Sequence, residues 1–236
     1  MSSSDESGSD VIEDLGEYVG ERNEAGERHG VGKAQLKNGD IYDGSYKYGR
    51  RDGPGMYFFI ANNAKYDGTY KEGERHGHGT MIYPDGSKYE GTWDHNKRQG
   101  YGIYHYANGD KYEGEWLNDQ KHGQGVYDYR HAQTKFTGMW NMGKQEGMGT
   151  VEYPQMKFRG FFHIGYPIGI GKFVFNRGYE QKGIYITEEH ERIVDSDIVT
   201  EKTSHWTSDG GIVETQTGRE PFTAEPVVPN KPSSPT

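Results

Sequence analysis

The chain is expected to be all-β, an elongated single-layer antiparallel meander of repeated β-hairpins. Three observations predict this. A block that opens on aromatic-x-Gly and closes on Gly-x-Gly recurs every 22 to 24 residues, with first aromatics at Tyr18, Tyr42, Tyr66, Tyr89, Tyr112, Phe136 and Phe158. Inside each block residues alternate with period two, the mark of a strand with unlike faces. The composition joins 36 glycines and 14% aromatics to a mean hydropathy of -1.04, too polar for a thick core and too aromatic for an unfolded chain. A unit this short buries its apolar face only against its neighbours, so a stacked array is expected.

The elements follow in order. Residues 1–17 hold six acids and no base, an acidic Ser-rich tail that is solvated and open to phosphorylation. The array spans 18–186, about seven repeats and a closing strand. In residues 88–110, Lys88 to Trp93 alternates as one strand and Asp94 to Arg98 reads as a polar turn. Gly100 to Tyr106 alternates again, and Asn108-Gly109 signals a tight turn into the next repeat. Repeat one has Arg22 where later repeats place an aromatic, and one extra loop residue. Residues 181–186 keep the beat with Gln181 in place of the aromatic, so they read as half a repeat ending the stack. Residues 187–236, with ten acids and four bases, are expected to be an acidic, largely disordered tail. Within it, segment 188–216 carries Ile193, Val194, Ile198, Val199, Trp206, Ile212 and Val213, too many apolar residues for a spacer. It is a candidate docking arm that orders on a partner, with an extension of the closing strand as the alternative.

Alternation sorts the side chains. One face takes the ladder Tyr42, Tyr46, Tyr66, Tyr70, Tyr89, Trp93, Tyr112, Trp116, Phe136, Trp140, Phe158 and Phe162. Both glycines of each closing pair lie on that face, followed by the row Leu36, Phe59, Tyr83, Tyr106, Tyr129, Tyr153 and Phe175. Rings lie flat on backbone only where no Cβ intrudes, which accounts for the glycines. The ladder is read as structural. The opposite face carries Lys65, Lys88, Lys111 and Lys135 among acids, with a less polar row at Phe58, Ile82, Ile103 and Val126. These residues and Trp206 form the candidate interaction surface.

Several function classes are excluded or disfavoured. No run approaches the roughly 18 apolar residues of a membrane helix, and the start lacks the regions of a signal peptide. With no cysteine there is no disulfide or thiolate site, and a cytoplasmic, reducing setting is expected. The net charge of -9 leaves an array of only +3 between the acidic ends, so no nucleic-acid partner is expected. His29, His76 and His122 fall in alternate repeats, about 20 Å apart, too far for one metal. Gly169-Ile170-Gly171-Lys172 fails as a phosphate loop, with Tyr166 and Phe173 where Gly and Ser or Thr belong. No catalytic residue, cofactor or metal is assigned.

Tyr66-Asp67-Gly68-Thr69-Tyr70-Lys71-Glu72-Gly73-Glu74-Arg75-His76-Gly77-His78-Gly79 resembles the MORN repeat, as does Tyr112 through Gly125. Phe136, Phe158 and Pro167 depart from that pattern. The opening Met1 to Asp10, the repeat number and the acidic tail are together similar to MORN-repeat subunits of radial spoke heads. This resemblance implies a non-catalytic scaffold in the axoneme of motile cilia and sperm flagella. Its partners would be other radial spoke head subunits, with the central-pair apparatus touched transiently and homodimer formation left open. The alternative implied by other MORN proteins is a membrane or phosphoinositide-associated scaffold. A mildly basic array would attract anionic lipid weakly, against the repulsion of its acidic tails.

Overall fold

The computed structural model describes residues 16–194 and 197–214. Most of the tail expected over 1–17, and everything beyond 214, lies outside the described residues. Among the described residues sixteen strands follow one another, and they divide between Ala107 and Asn108 into two compact units. The first holds β1 (Glu17–Arg22), β2 (Arg28–Gln35), β3 (Ile41–Lys47), β4 (Arg50–Phe59), β5 (Ala64–Lys71), β6 (Glu74–Ile82), β7 (Lys88–Asp94) and β8 (Lys97–His105). The second holds β9 (Lys111–Leu117), β10 (Gln120–Tyr129), β11 (Thr134–Asn141), β12 (Lys144–Glu152), β13 (Met156–His163), β14 (Tyr166–Phe175), β15 (Tyr179–Val194) and β16 (Asp197–Glu214). Within each unit every strand pairs antiparallel with its sequence neighbour, so both are all-β meanders, and no helix occurs among the described residues.

Local chemistry sets the turns. Inside repeats two to seven the strands join through two residues that both have positive φ, such as His95 (45°) and Asn96 (65°). That is the primed turn whose twist matches a hairpin. Between repeats the loop is longer than the tight turn expected at Asn108-Gly109. Only Gly109 is left-handed there, and the Asn108 side-chain oxygen accepts from the Asp110 amide at 3.0 Å.

The two glycines of each closing pair do different work, which corrects the reading that both lie under rings. Gly91 pairs with Gly102 but Trp93 pairs with Arg98, so Thr92 faces three residues, Gln99 to Tyr101. Gly100 sits in this bulge at φ 71°, and the Thr92 hydroxyl donates to the carbonyls of Gln99 and Tyr101. Only the second glycine lies under a ring. A Cβ on Gly102 would stand 2.3 Å from the Tyr89 hydroxyl oxygen and 2.6 Å from its ring carbons. Two extra residues preserve the alternation of faces, so the bulge re-aims the strand without inverting it.

The core is the aromatic face. All twelve ladder side chains are buried, joined by a row that sequence reasoning passed over: Ala34, Tyr57, Met81, Tyr104, Tyr127, Val151 and Phe173. The row expected there, from Leu36 to Phe175, lies two residues further along and is only half-buried except at Tyr129. At the C-terminal end the closing strand does not stop at 186. β15 runs to Val194 and pairs along its length with β16, so residues 188–194 and 197–214, expected within a largely disordered tail, are strand.

Candidate interaction faces

The ladder is an edge-to-face stack that crosses repeat boundaries. Tyr66 meets Tyr70 of its own repeat at 5.2 Å and Trp93 of the next at 5.4 Å, with interplanar angles of 83° and 89°. Phe136 stands likewise between Trp140 (5.3 Å) and Phe162 (5.0 Å). This geometry sets positive ring edges on negative faces. Burial pushes the Tyr66 hydroxyl up to about 12.

A row of cations lies on the same face and was missed from sequence. Arg51, Arg75, Arg98 and Lys121 each follow a turn, and in sequence they read as turn residues. The bulge brings each of them opposite a ladder aromatic instead, as Arg98 pairs with Trp93 and Lys121 with Trp116. Arg75 sits 4.5 Å from the Trp93 centroid, and Arg51 lies between Tyr57 (5.2 Å) and Tyr70 (5.3 Å). Such contacts strengthen as they are desolvated. Gln145 takes the position in repeat six, where it donates to the Tyr129 hydroxyl at 3.2 Å, and Pro167 takes it in repeat seven. A base two residues before Gly-x-Gly in the first five repeats was the available signal.

Polar groups tie repeat to repeat. Asp40 accepts from the Tyr57 hydroxyl at 2.9 Å and from the Ile60 amide at 2.9 Å. Asp110 does the same for Tyr127 (3.1 Å) and Arg130 (2.9 Å). Ser87 meets the Tyr104 hydroxyl at 2.9 Å. Tyr57 is thereby pushed up to about 12, by burial first and then by its bond to Asp40. The repeat histidine position also serves the turns. His76 Nδ1 lies 3.1 Å from Asp94, and the Glu146 carboxylate that occupies the position in repeat six binds His163 (2.9 Å) and the Ile164 amide (3.1 Å).

The opposite face is charged but self-paired. Lys65 meets Asp67 at 3.5 Å, Lys88 meets Glu90 at 3.0 Å, Lys111 meets Glu113 at 2.9 Å and Lys135 meets Asp128 at 3.6 Å. The apolar row placed here at Phe58, Ile82, Ile103 and Val126 is not contiguous. Phe58 and Ile82 are separated by Lys65, which pairs with both and lies 5.4 Å from the Phe58 centroid. Ile103 and Val126 belong to a different row, beside Glu90 and Glu113. Residues three and five places past the glycine share a face but not a rung.

Trp206 is also reassigned. Rather than standing out as a docking residue, its ring meets Phe173 at 5.0 Å, Tyr185 at 5.1 Å and Phe158 at 5.9 Å. It lies over Gly183, where a Cβ would stand 2.6 Å from the indole. It therefore takes the place that a next repeat would fill.

Comparison with known proteins accords with this geometry. The MORN repeat model matches residues 24–41, 42–62, 66–88, 89–111, 112–130 and 136–155. The β13–β14 hairpin adds a seventh unit that the model does not match, in keeping with its Phe158 and Pro167. The chain is 57% identical over 179 residues to the radial spoke head 1 homolog of Mus musculus, covering 76% of this chain and 59% of that protein. It is 70% identical over 33 residues to the radial spoke head 1 homolog of Cyprinus carpio, covering 14% of this chain and 15% of that one. The matched stretch thus spans less than two thirds of either relative. With matches over more than half its residues and the hairpin geometry to go with them, the chain belongs to the MORN-repeat family.

Proposed function

We propose that this chain is a non-catalytic scaffold subunit of the axonemal radial spoke head, supporting ciliary and sperm flagellar motility through protein–protein contacts. Its similarity to the mouse radial spoke head 1 homolog carries the reading. The chemistry of the described residues is consistent with it. The hydroxyls of Tyr57 and Tyr127 and the carboxylates of Asp40 and Asp110 are engaged in joining one repeat to the next. The partners on this reading are other spoke-head subunits, and the central-pair apparatus is met through charged, transient contacts. The location is the axoneme. The lipid-scaffold reading is not favoured, because each of the four stripe lysines already has a carboxylate within 3.6 Å.

Detergent extraction of purified motile cilia tests the proposal. Retention with the demembranated axoneme, and release by chaotropic salt together with spoke components, is the expected result. Release with the membrane fraction would overturn it.

A further inference from the structure

On the face opposite the ladder, the second unit carries an apolar stripe that the first unit lacks. Met148 pairs directly with Phe161, and Ile170 pairs with Ile184. Phe161 faces the bulge that contains Ile170, and Met139 faces the bulge that contains Met148, so the five side chains adjoin across β11 to β15. All are open to solvent, at 39% for Met139, 56% for Met148, 51% for Phe161, 78% for Ile170 and 47% for Ile184. At the equivalent positions of the first unit stand Ser45 opposite Val31, Thr69 opposite Pro54 and Thr92 opposite His78, so no two apolar side chains pair there. The stripe is therefore not a by-product of the repeat.

A basic row runs beside it. Two residues along each strand, Arg159 pairs with Lys172 and Lys172 with Lys182. Glu180 holds Lys172 at 3.0 Å, but among the described residues Arg159 and Lys182 have no carboxylate within salt-bridge reach. The first unit has acids on the matching strands, Asp43, Asp67 and Glu90. Five adjoining exposed apolar side chains flanked by a basic row are the features of a recognition surface.

Dimensions select the occupant. Five strands place the stripe over about 19 Å, with roughly 4.8 Å between successive side chains. A helix laid across the strands presents one apolar residue per 5.4 Å turn, so about three and a half turns match the stripe. The basic row lies about 7 Å to one side, where the flank of such a helix would put its own charges. We propose that this surface docks an amphipathic α-helix of a partner protein, with leucine-like residues on the stripe and acidic residues along Arg159 and Lys182. The inference deepens the scaffold reading and rests on it, yet the two fail separately. Absent helix binding would leave axonemal retention untouched, and loss of retention would leave helix binding measurable.

The test titrates the full chain into a fluorescent designed helix of about 15 residues, with one leucine stripe and glutamate flanks, and into its twin with lysine flanks. The glutamate helix is expected to bind at least about tenfold tighter than its twin. Ile170→Ser and Phe161→Ser should each weaken it by about tenfold, with unchanged thermal unfolding because both side chains are exposed. Arg159→Glu combined with Lys182→Glu should reverse the preference. Equal binding of the two helices, no saturation up to millimolar, or indifference to Ile170→Ser would overturn the proposal. So would a dimer in sedimentation that Ile170→Ser dissociates, since the stripe would then be a self-association face.

Discussion

The Lys121 ammonium lies 4.4 Å from the centroid of the Trp140 ring, on the buried face of the sheet, with the Tyr127 centroid at 4.6 Å. Burial lowers its proton affinity to a pKa of about 8, with Asp110 acting in the opposite sense. The unfolded chain keeps this proton to about 10.4. Between these values the unfolded state binds more protons, so stability rises with pH across that window and the gain is lost as pH falls through 8.

Urea unfolding at pH 7, 8, 9 and 10 checks this. Relative to Lys121→Met, the wild type is expected to gain up to about 1.4 kcal/mol per pH unit above 8. A difference that stays flat from pH 7 to 10 would show that the ammonium is not desolvated by its rings.

Asp110 should matter in two ways. Its carboxylate accepts from the Tyr127 hydroxyl at 3.1 Å and from the Arg130 amide at 2.9 Å. Asp110→Ala strands both donors and is expected to cost about 1–3 kcal/mol for each one left buried and unsatisfied. It also removes the charge that supports the Lys121 proton, so the lysine should titrate lower still, as read by NMR at its ε carbon. Asp110→Asn separates the effects, since it can keep an acceptor while losing the charge. A Lys121 titration unmoved by Asn would exclude the electrostatic link.

The contrast between what the sequence made plain and what it hid follows from the bulge. Tyr42, Tyr66, Tyr89 and Tyr112 were legible because the ring, its glycine and the beat recur together. Arg51, Arg75, Arg98 and Lys121 were not, because a strand counted without its bulge assigns them to turns. Phe58 and Ile82 share a face with Ile103 and Val126 but stand at a different repeat position, which period two alone does not distinguish. Phe161, Ile170 and Ile184 escaped notice because their repeat positions change character from one repeat to the next, Pro54, His78 and Gln124 standing where Ile170 does, so no beat announces an apolar row. Trp206 lies beyond the last repeat, so no beat in the sequence places it in the ladder.

The glycines give a paired test. A Cβ at Gly102 would overlap the Tyr89 hydroxyl at 2.3 Å, whereas one at Gly86 meets nothing within 4 Å but sits at φ 81°. Gly102→Ala should therefore cost about 3 kcal/mol or more, through displaced rings on a tightly packed face. Gly86→Ala should cost only the left-handed conformation, about 1–2 kcal/mol. Chemical denaturation of both variants measures the difference. Equal losses would mean that the Tyr89 ring moves aside at little cost.

The end of the stack should be its weak point. Trp206 covers Phe173 at 5.0 Å and Tyr185 at 5.1 Å, and no further repeat stands behind it among the described residues. Trp206→Ala uncovers those rings, and because the indole is only partly buried the loss should be about 2 kcal/mol rather than the 3–5 of a full core truncation. Repeat stability is carried by nearest neighbours, so the damage should stay local. Hydrogen exchange is expected to quicken in β13 to β15 while β3 to β7 keep their protection, and Trp206→Phe should restore most of it. Protection that falls evenly along the chain would mean that repeats unfold as one block, and protection that does not change would mean that Trp206 caps nothing.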